Sequence, residues 1–148
     1  MPITNYLFRP VLPGRPLRPV LQVKYLHPAN GHHQSAWALI DTGADRCSLP
    51  GTYAELLGYI LEDGEPINVK GIGGTVESYK HAVRIKIDGY ITDERTVFFT
   101  PGLQIPVLGV DSFLKEFLLT IDYPKQLFSL KFSKPTDPED NPHSWPPP

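Results

Sequence analysis

The chain has 148 residues and a mass of 16.6 kDa, enough for one hydrophobic core and too little for two ordinary domains side by side. Hydrophobic residues make up 41% and charged residues 20%, a globular composition, and no apolar run approaches the roughly 20 residues of a membrane span. With a formal net charge of −2 and a pI near 6.2 there is no basic stripe to meet phosphates, so neither nucleic acid nor membrane is expected as a partner.

The N-terminus, Met1-Pro-Ile-Thr-Asn-Tyr-Leu-Phe-Arg-Pro10, has no basic start, apolar stretch or small-residue cleavage site, which predicts a cytoplasmic address. Proline crowds Arg9-Pro-Val-Leu-Pro-Gly-Arg-Pro-Leu-Arg-Pro19 and returns in Lys134-Pro-Thr-Asp-Pro-Glu-Asp-Asn-Pro-His-Ser-Trp-Pro-Pro-Pro148. Because proline brings no N–H to a ladder, neither end is expected to form an ordinary central strand. This divides the chain into a proline-rich segment 1–19, a domain over 20–132 and a flexible tail over 133–148.

Between the ends the pattern has period two. Leu21, Val23 and Tyr25 alternate with Val20, Gln22 and Lys24, and Val83-Arg-Ile-Lys-Ile87 alternates again, so the domain is expected to be mainly β. Turn signals stand at Pro28-Ala-Asn-Gly31, Glu62-Asp-Gly64, Gly71 to Gly74, Asp88-Gly89 and Tyr123-Pro124. Two short helices are predicted. One is Tyr53-Ala-Glu-Leu-Leu57, closed by Gly58; the other is Asp111-Ser-Phe-Leu-Lys-Glu-Phe117, capped by Asp111. The pair Phe98-Phe99 reads as core.

The segment richest in chemistry is Ala38-Leu-Ile-Asp-Thr-Gly-Ala-Asp45, where an apolar strand over 37–40 runs straight into an acid. A carboxylate at the end of such a strand is costly unless hydrogen bonds hold it, and Thr42 with the N–H groups of Gly43 and Ala44 offers them. An ordinary Asp-x-Gly turn has the same residues, and on these residues alone both readings stand. Other candidates are weaker. His32 and His33 fall in a hairpin loop without a third ligand, the single Cys47 has no disulfide partner and no neighbouring histidine, and no metal or cofactor is expected. Gly71-Ile-Gly73 lacks both the last glycine of a dinucleotide fingerprint and a following helix.

Ile40-Asp-Thr-Gly-Ala44, continued by Asp45, resembles the active-site motif of retropepsin-like (retroviral-type) aspartic peptidases. Two further segments match in order: Lys70-Gly-Ile-Gly-Gly-Thr-Val76 resembles the glycine-rich flap of that family, and Ile105-Pro-Val-Leu-Gly109 its apolar-apolar-glycine element. Together the resemblance covers about residues 20–132. It implies a closed retropepsin-like β-barrel with one or two short helices, active as a homodimer. Asp41 is then the catalytic aspartate, Thr42, Gly43 and Ala44 support the active-site loop, and Asp45, Gly71, Ile72, Gly73, Gly74 and Val107 bind substrate.

In that family two aspartates about 3 Å apart share one proton and activate a water against the scissile carbonyl. Here there is one Asp-Thr-Gly, so the second aspartate must come from a second copy. Asp111-Ser-Phe113 has Phe113 where a catalytic loop needs glycine and is not an internal second half. One departure stands out: Val110 occupies the position where retropepsins usually carry an arginine that pairs with the acid after the motif, leaving Asp45 without that partner. The proline-rich ends are also ill suited to the interleaved terminal sheet of retroviral dimers. The implied function is an aspartic endopeptidase acting on extended peptides or unfolded protein. The rival is a retropepsin-fold dimer of little or no turnover that serves as a peptide-binding or scaffold module; a small β-barrel interaction domain carrying the motif by accident is a third reading.

Overall fold

The computed structural model describes residues 2–71 and 73–134. In chain order its strands are β1 (Pro2–Leu7), β2 (Arg9–Pro10), β3 (Leu17–Arg18), β4 (Val20–Leu26), β5 (His33–Ile40), β6 (Ser48–Pro50), β7 (Glu65–Gly71), β8 (Gly74–Ile87), β9 (Tyr90–Ile91), β10 (Arg95–Thr100), β11 (Val107–Leu108), β12 (Phe117–Asp122) and β13 (Leu127–Phe132). One short helix, α1 (Tyr53–Leu56), follows β6, and 3₁₀ turns occupy Leu61–Asp63 and Leu114–Glu116. The chain is mainly β, as its period-two patterning predicts, and no helix among the described residues is long and apolar enough to cross a membrane.

The strands pair in the order β10-β6-β11-β5-β4-β8-β7, and β10 also pairs with β8, so the pairings run in a closed ring. Alternation decides what faces inward. On β8, Val83, Ile85 and Ile87 are buried while Arg84 and Lys86 between them are exposed; on β10, Val97 and Phe99 are buried. With Leu21, Val23, Tyr25, Ala38, Leu49 and Leu108 they form one core. Each such side chain contributes about 1.5–3 kcal/mol when fully removed from water.

A second sheet, β1-β13-β12, packs beside the ring. Residues 1–19, set apart in the sequence by their prolines, supply its first strand, and Ile3 and Phe8 lie in the common core. Proline does not prevent this, because β1 is the edge of its sheet and Pro2 is the first residue of the strand. The terminal sheet is thus made within one chain. Phe128 sits at its centre, fully buried, with Tyr6 edge-on at 5.9 Å and Phe8 at 6.5 Å. Phe128→Ala is expected to lower unfolding free energy by about 3–5 kcal/mol. Urea denaturation followed by tryptophan fluorescence checks this, and a loss below about 1 kcal/mol would mean that this sheet is peripheral to the cooperative unit.

The two predicted helices fare differently. Of the predicted residues 53–57, Tyr53–Leu56 form α1 with Leu57 as its C-cap, and Gly58 follows with φ +81°, a left-handed conformation suited to glycine after a helix end. The β4–β5 turn helps to close it: Asn30 Nδ2 donates to the Leu57 carbonyl at 3.1 Å, and Asn30 Oδ1 accepts the His32 N–H at 2.8 Å. Of residues 111–117, by contrast, only Leu114–Glu116 are helical, as a single 3₁₀ turn and not an α-helix. The Phe113 N–H reaches back three residues to Val110, while those of Leu114 and Lys115 reach back five, to Gly109 and Val110. No regular four-residue ladder forms, and Phe117 is drawn into β12 opposite Phe132. Asp111 is therefore no helix cap; its backbone N–H goes to the Asp45 carbonyl. The tail from residue 135 onward, expected to be flexible, lies outside the described residues.

Candidate functional site

Strand β5 delivers Asp41 to the surface. Ala38 and Ile40 point into the core, whereas Trp37 is turned outward beneath the Arg9 guanidinium, 4.6 Å from the ring centroid. The alternation predicted as an apolar run thus places residue 41 just past the last buried position. Asp41 is half-buried, Thr42, Gly43 and Asp45 are exposed, and Ala44 is intermediate. The Gly43 N–H donates to Asp41 Oδ1 at 2.9 Å and the Ala44 N–H to the Asp41 carbonyl at 3.2 Å. Of the three groups expected to hold the carboxylate, Gly43 does so directly, Ala44 holds the backbone, and the Thr42 side chain makes no hydrogen bond among the described residues. Among the described residues no other acid bonds to Asp41.

The loop rests on the segment that follows β11. Parallel pairing of β11 with β5 sets Leu108 beside Ile40, and the Asp41 N–H donates to the Leu108 carbonyl at 3.1 Å. Beyond it, the Val110 N–H donates to the Ala44 carbonyl at 2.8 Å and the Asp111 N–H to the Asp45 carbonyl at 2.6 Å. Gly109 makes this approach possible: a Cβ there would stand 2.5 Å from the Arg46 carbonyl carbon and 2.8 Å from the Ala44 oxygen. Val107, expected to bind substrate, is partly buried and pairs with Leu39 and Ser48.

The glycine-rich segment is the tip of the β7–β8 hairpin, paired in register from Glu65–Lys80 to Gly71–Gly74. Gly74 has φ +114°, which L side chains rarely adopt. Ile72 lies outside the described residues. Strand β7 ends the sheet order, so one of its edges carries unpaired backbone groups.

Cys47 is buried beneath the loop. Burial pushes its thiol up to about 11, its Sγ accepts the Gly109 N–H at 3.4 Å, and it is a packing residue, not a nucleophile. His32 and His33 are exposed, and no group of three or more metal-binding side chains occurs among the described residues. Asp45 makes no ion pair there, consistent with Val110 in place of the arginine.

A polar network that sequence reasoning missed lies under the loop. Arg95 donates through Nε to Asp93 Oδ1 at 2.6 Å, through Nη2 to Glu116 Oε1 at 2.6 Å and through Nη1 to the Ser112 carbonyl at 3.2 Å. Burial works to lower the guanidinium's pKa, but its hydrogen bonds to Glu116 and Asp93 outweigh burial and hold it above its ordinary value. Tyr90 OH completes the network by donating to Glu116 Oε2 at 3.1 Å. These residues come from two stretches of chain, 90–95 and 112–116, and no local spacing announces that the two meet.

With this geometry in hand, comparison with known proteins is informative. A family profile described as Aspartyl protease matches residues 27–112, more than half of the chain and all of the loop and its support. Among curated proteins no sequence matches. Among solved structures, a retropepsin-like aspartic protease from Rickettsia conorii superposes with a TM-score of 0.66 at 20% identity, covering 88% of this chain and 98% of that one. The EIAV protease complexed with the inhibitor HBY-793 gives a TM-score of 0.45 at 26% identity, covering 68% of this chain and 89% of that one. The chain belongs to the aspartyl protease family, and its fold is retropepsin-like.

Proposed function

We propose that the protein is an aspartic endopeptidase whose site forms between two copies of the chain, each contributing Asp41 to a dyad across a two-fold axis. The supporting observation is the half-built site itself: Asp41 stands at the mouth of an exposed loop, among the described residues its carboxylate accepts a hydrogen bond only from the Gly43 N–H of the same loop, and the sequence holds no second Asp-Thr-Gly. In the dyad the two carboxyls share a proton. The charged one takes a proton from a bound water as the oxygen attacks the peptide carbonyl, and the protonated one donates to the carbonyl oxygen.

Thr42 is assigned to bonds across the axis, Gly43 and Ala44 to keeping the groove narrow, and Asp45 and Val107 to its walls. The β7–β8 hairpin, with Gly71, Gly73 and Gly74 at its tip, closes over an extended peptide, Ile72 is assigned to substrate binding by its place in the sequence, and the edge of β7 that is unpaired among the described residues favours sheet-like pairing with that peptide's backbone. Apolar side chains of unfolded protein are the expected targets.

Sedimentation velocity combined with a diverse peptide library, read by mass spectrometry, tests this reading. A dimer that produces Asp41-dependent cleavage is the expected result. Asp41-dependent cleavage by a strict monomer would remove the two-copy site, and an intact dimer that cuts nothing at any pH would leave a peptide-binding module.

A further inference from the structure

The loop that carries Asp41 is not self-supporting. Within residues 41–47 the hydrogen bonds among the described residues are the two short-range ones to Asp41, those to 108–112, and one from the Phe98 N–H on β10 to the Cys47 carbonyl at 3.0 Å. That support is itself irregular, because β11 ends at Leu108 and the next regular element, the 3₁₀ turn Leu114–Glu116, begins only beyond residues 109–112. Asp41 itself is held by β5 and by Leu108, whereas the loop beyond it, through Ala44, Asp45 and Cys47, leans on residues 109–112.

Two groups fix those residues. Ser112 is buried, 3% exposed, and its Oγ accepts the buried Cys47 N–H at 3.1 Å while donating to the Thr96 carbonyl on β10 at 3.3 Å. One hydroxyl thus ties the end of the loop, its support and a ring strand together. The Ser112 carbonyl is held in turn by Arg95 Nη1, and that guanidinium is itself fixed between Asp93 and Glu116. A planar fork with three partners has little freedom to move. The resemblance implies an arginine after the glycine as the usual support; here that position is Val110, and a cation from β10, Arg95, reaches the same segment through the Ser112 carbonyl.

We propose that Ser112 and Arg95 are positioning residues for Asp41, acting through the Cys47 amide and the backbone of 109–112 to hold the loop in its reactive geometry. The inference rests on the proposed peptidase reading for its effect on turnover, but not for its effect on the loop. Removing the Ser112 hydroxyl leaves the buried Cys47 N–H without an acceptor, and the loop must move to satisfy it. A displacement near 1 Å at a reacting group costs about 100-fold in rate.

The test measures two things on full-length wild type, Ser112→Ala, Ser112→Thr and Arg95→Met. Amide hydrogen exchange at Asp41 and Ala44, neither of which bonds to Ser112, should quicken about 10-fold or more in Ser112→Ala and Arg95→Met, with exchange in β4 and β8 unchanged. Turnover should fall about 10- to 100-fold in kcat, with KM within about 3-fold. Ser112→Thr, which keeps the hydroxyl, should stay close to wild type in both readouts. Should Ser112→Ala not fold, the exchange of Arg95→Met decides. Wild-type exchange at Asp41 and Ala44 in both Ser112→Ala and Arg95→Met would overturn the proposal. Absence of cleavage by the wild type would sink the peptidase reading alone, and the exchange result would still decide whether Ser112 and Arg95 anchor the loop.

Discussion

Replacing Asp41 by Asn should reduce peptide cleavage by about 10⁴-fold or more while leaving the fold and its stability within about 0.5 kcal/mol of wild type. The two effects separate because Asp41 makes one side-chain hydrogen bond, accepted by Oδ1 from the Gly43 N–H, and an Asn oxygen accepts the same bond. What Asn cannot do is exchange the catalytic proton. The wild-type profile should be bell-shaped in pH, with its maximum on the acidic side of neutrality. At the acid limb both carboxyls of the pair are protonated and no base is left for the water; at the alkaline limb both are charged and no acid is left for the carbonyl oxygen. The limbs belong to the pair, not to one residue. Cleavage that survives in metal-free Asp41→Asn, or that rises steadily into alkaline pH, would exclude a carboxylate dyad.

Gly109→Ala should be the most damaging small substitution in the site. The added Cβ would meet the backbone of Ala44 and Arg46 well inside van der Waals contact, and backbone cannot rotate away as a side-chain tip can. The loop must lift from its support, which strains the bonds from Val110 to Ala44 and from Asp111 to Asp45. The expected cost is about 1–3 kcal/mol of stability together with about 100-fold in turnover. Gly73→Ala is the matched control for folding, since a Cβ there meets nothing within 4 Å. Thermal melts and kcat/KM for the two variants provide the check. Equal melting temperatures for both would show that the loop can yield without loss and that Gly109 has no special role.

The strands on either side of the site were legible in the sequence, because period-two burial is a local property that each strand carries in its own residues. Leu21, Val23 and Tyr25 on β4 and Val83, Ile85 and Ile87 on β8 are buried, as their spacing predicts. The glycine hairpin was legible for the same reason, with turn residues between two alternating runs. Asp41 was legible as a carboxylate at a strand end, and only its resemblance to the retropepsin motif separated a site from a turn. The helix predicted over 111–117 shrinks to a 3₁₀ turn at Leu114–Glu116. Its apolar spacing fits a helix, but the N–H groups of Val110 and Asp111 bond to loop carbonyls some 66 residues away in sequence, and Phe117 pairs across a sheet with Phe132.

By itself, then, the sequence determined the class of fold, the strand that carries Asp41 and the residue types at the loop, all of which depend on neighbours a few positions apart. The tertiary structure alone decided what lies beneath the loop. Gly109 matters because two distant backbones meet there, Ser112 because its hydroxyl has partners on β10 and at Cys47, and Arg95 because Asp93, Glu116 and Ser112 converge on it. It also decided that Ile3 and Phe8, from the N-terminal segment, belong to the core, through pairing of β1 with β13 near the other end of the chain. Contacts of this kind join segments far apart in sequence, and no local period or spacing records them, because the partner that gives each residue its role is supplied only when the chain closes on itself.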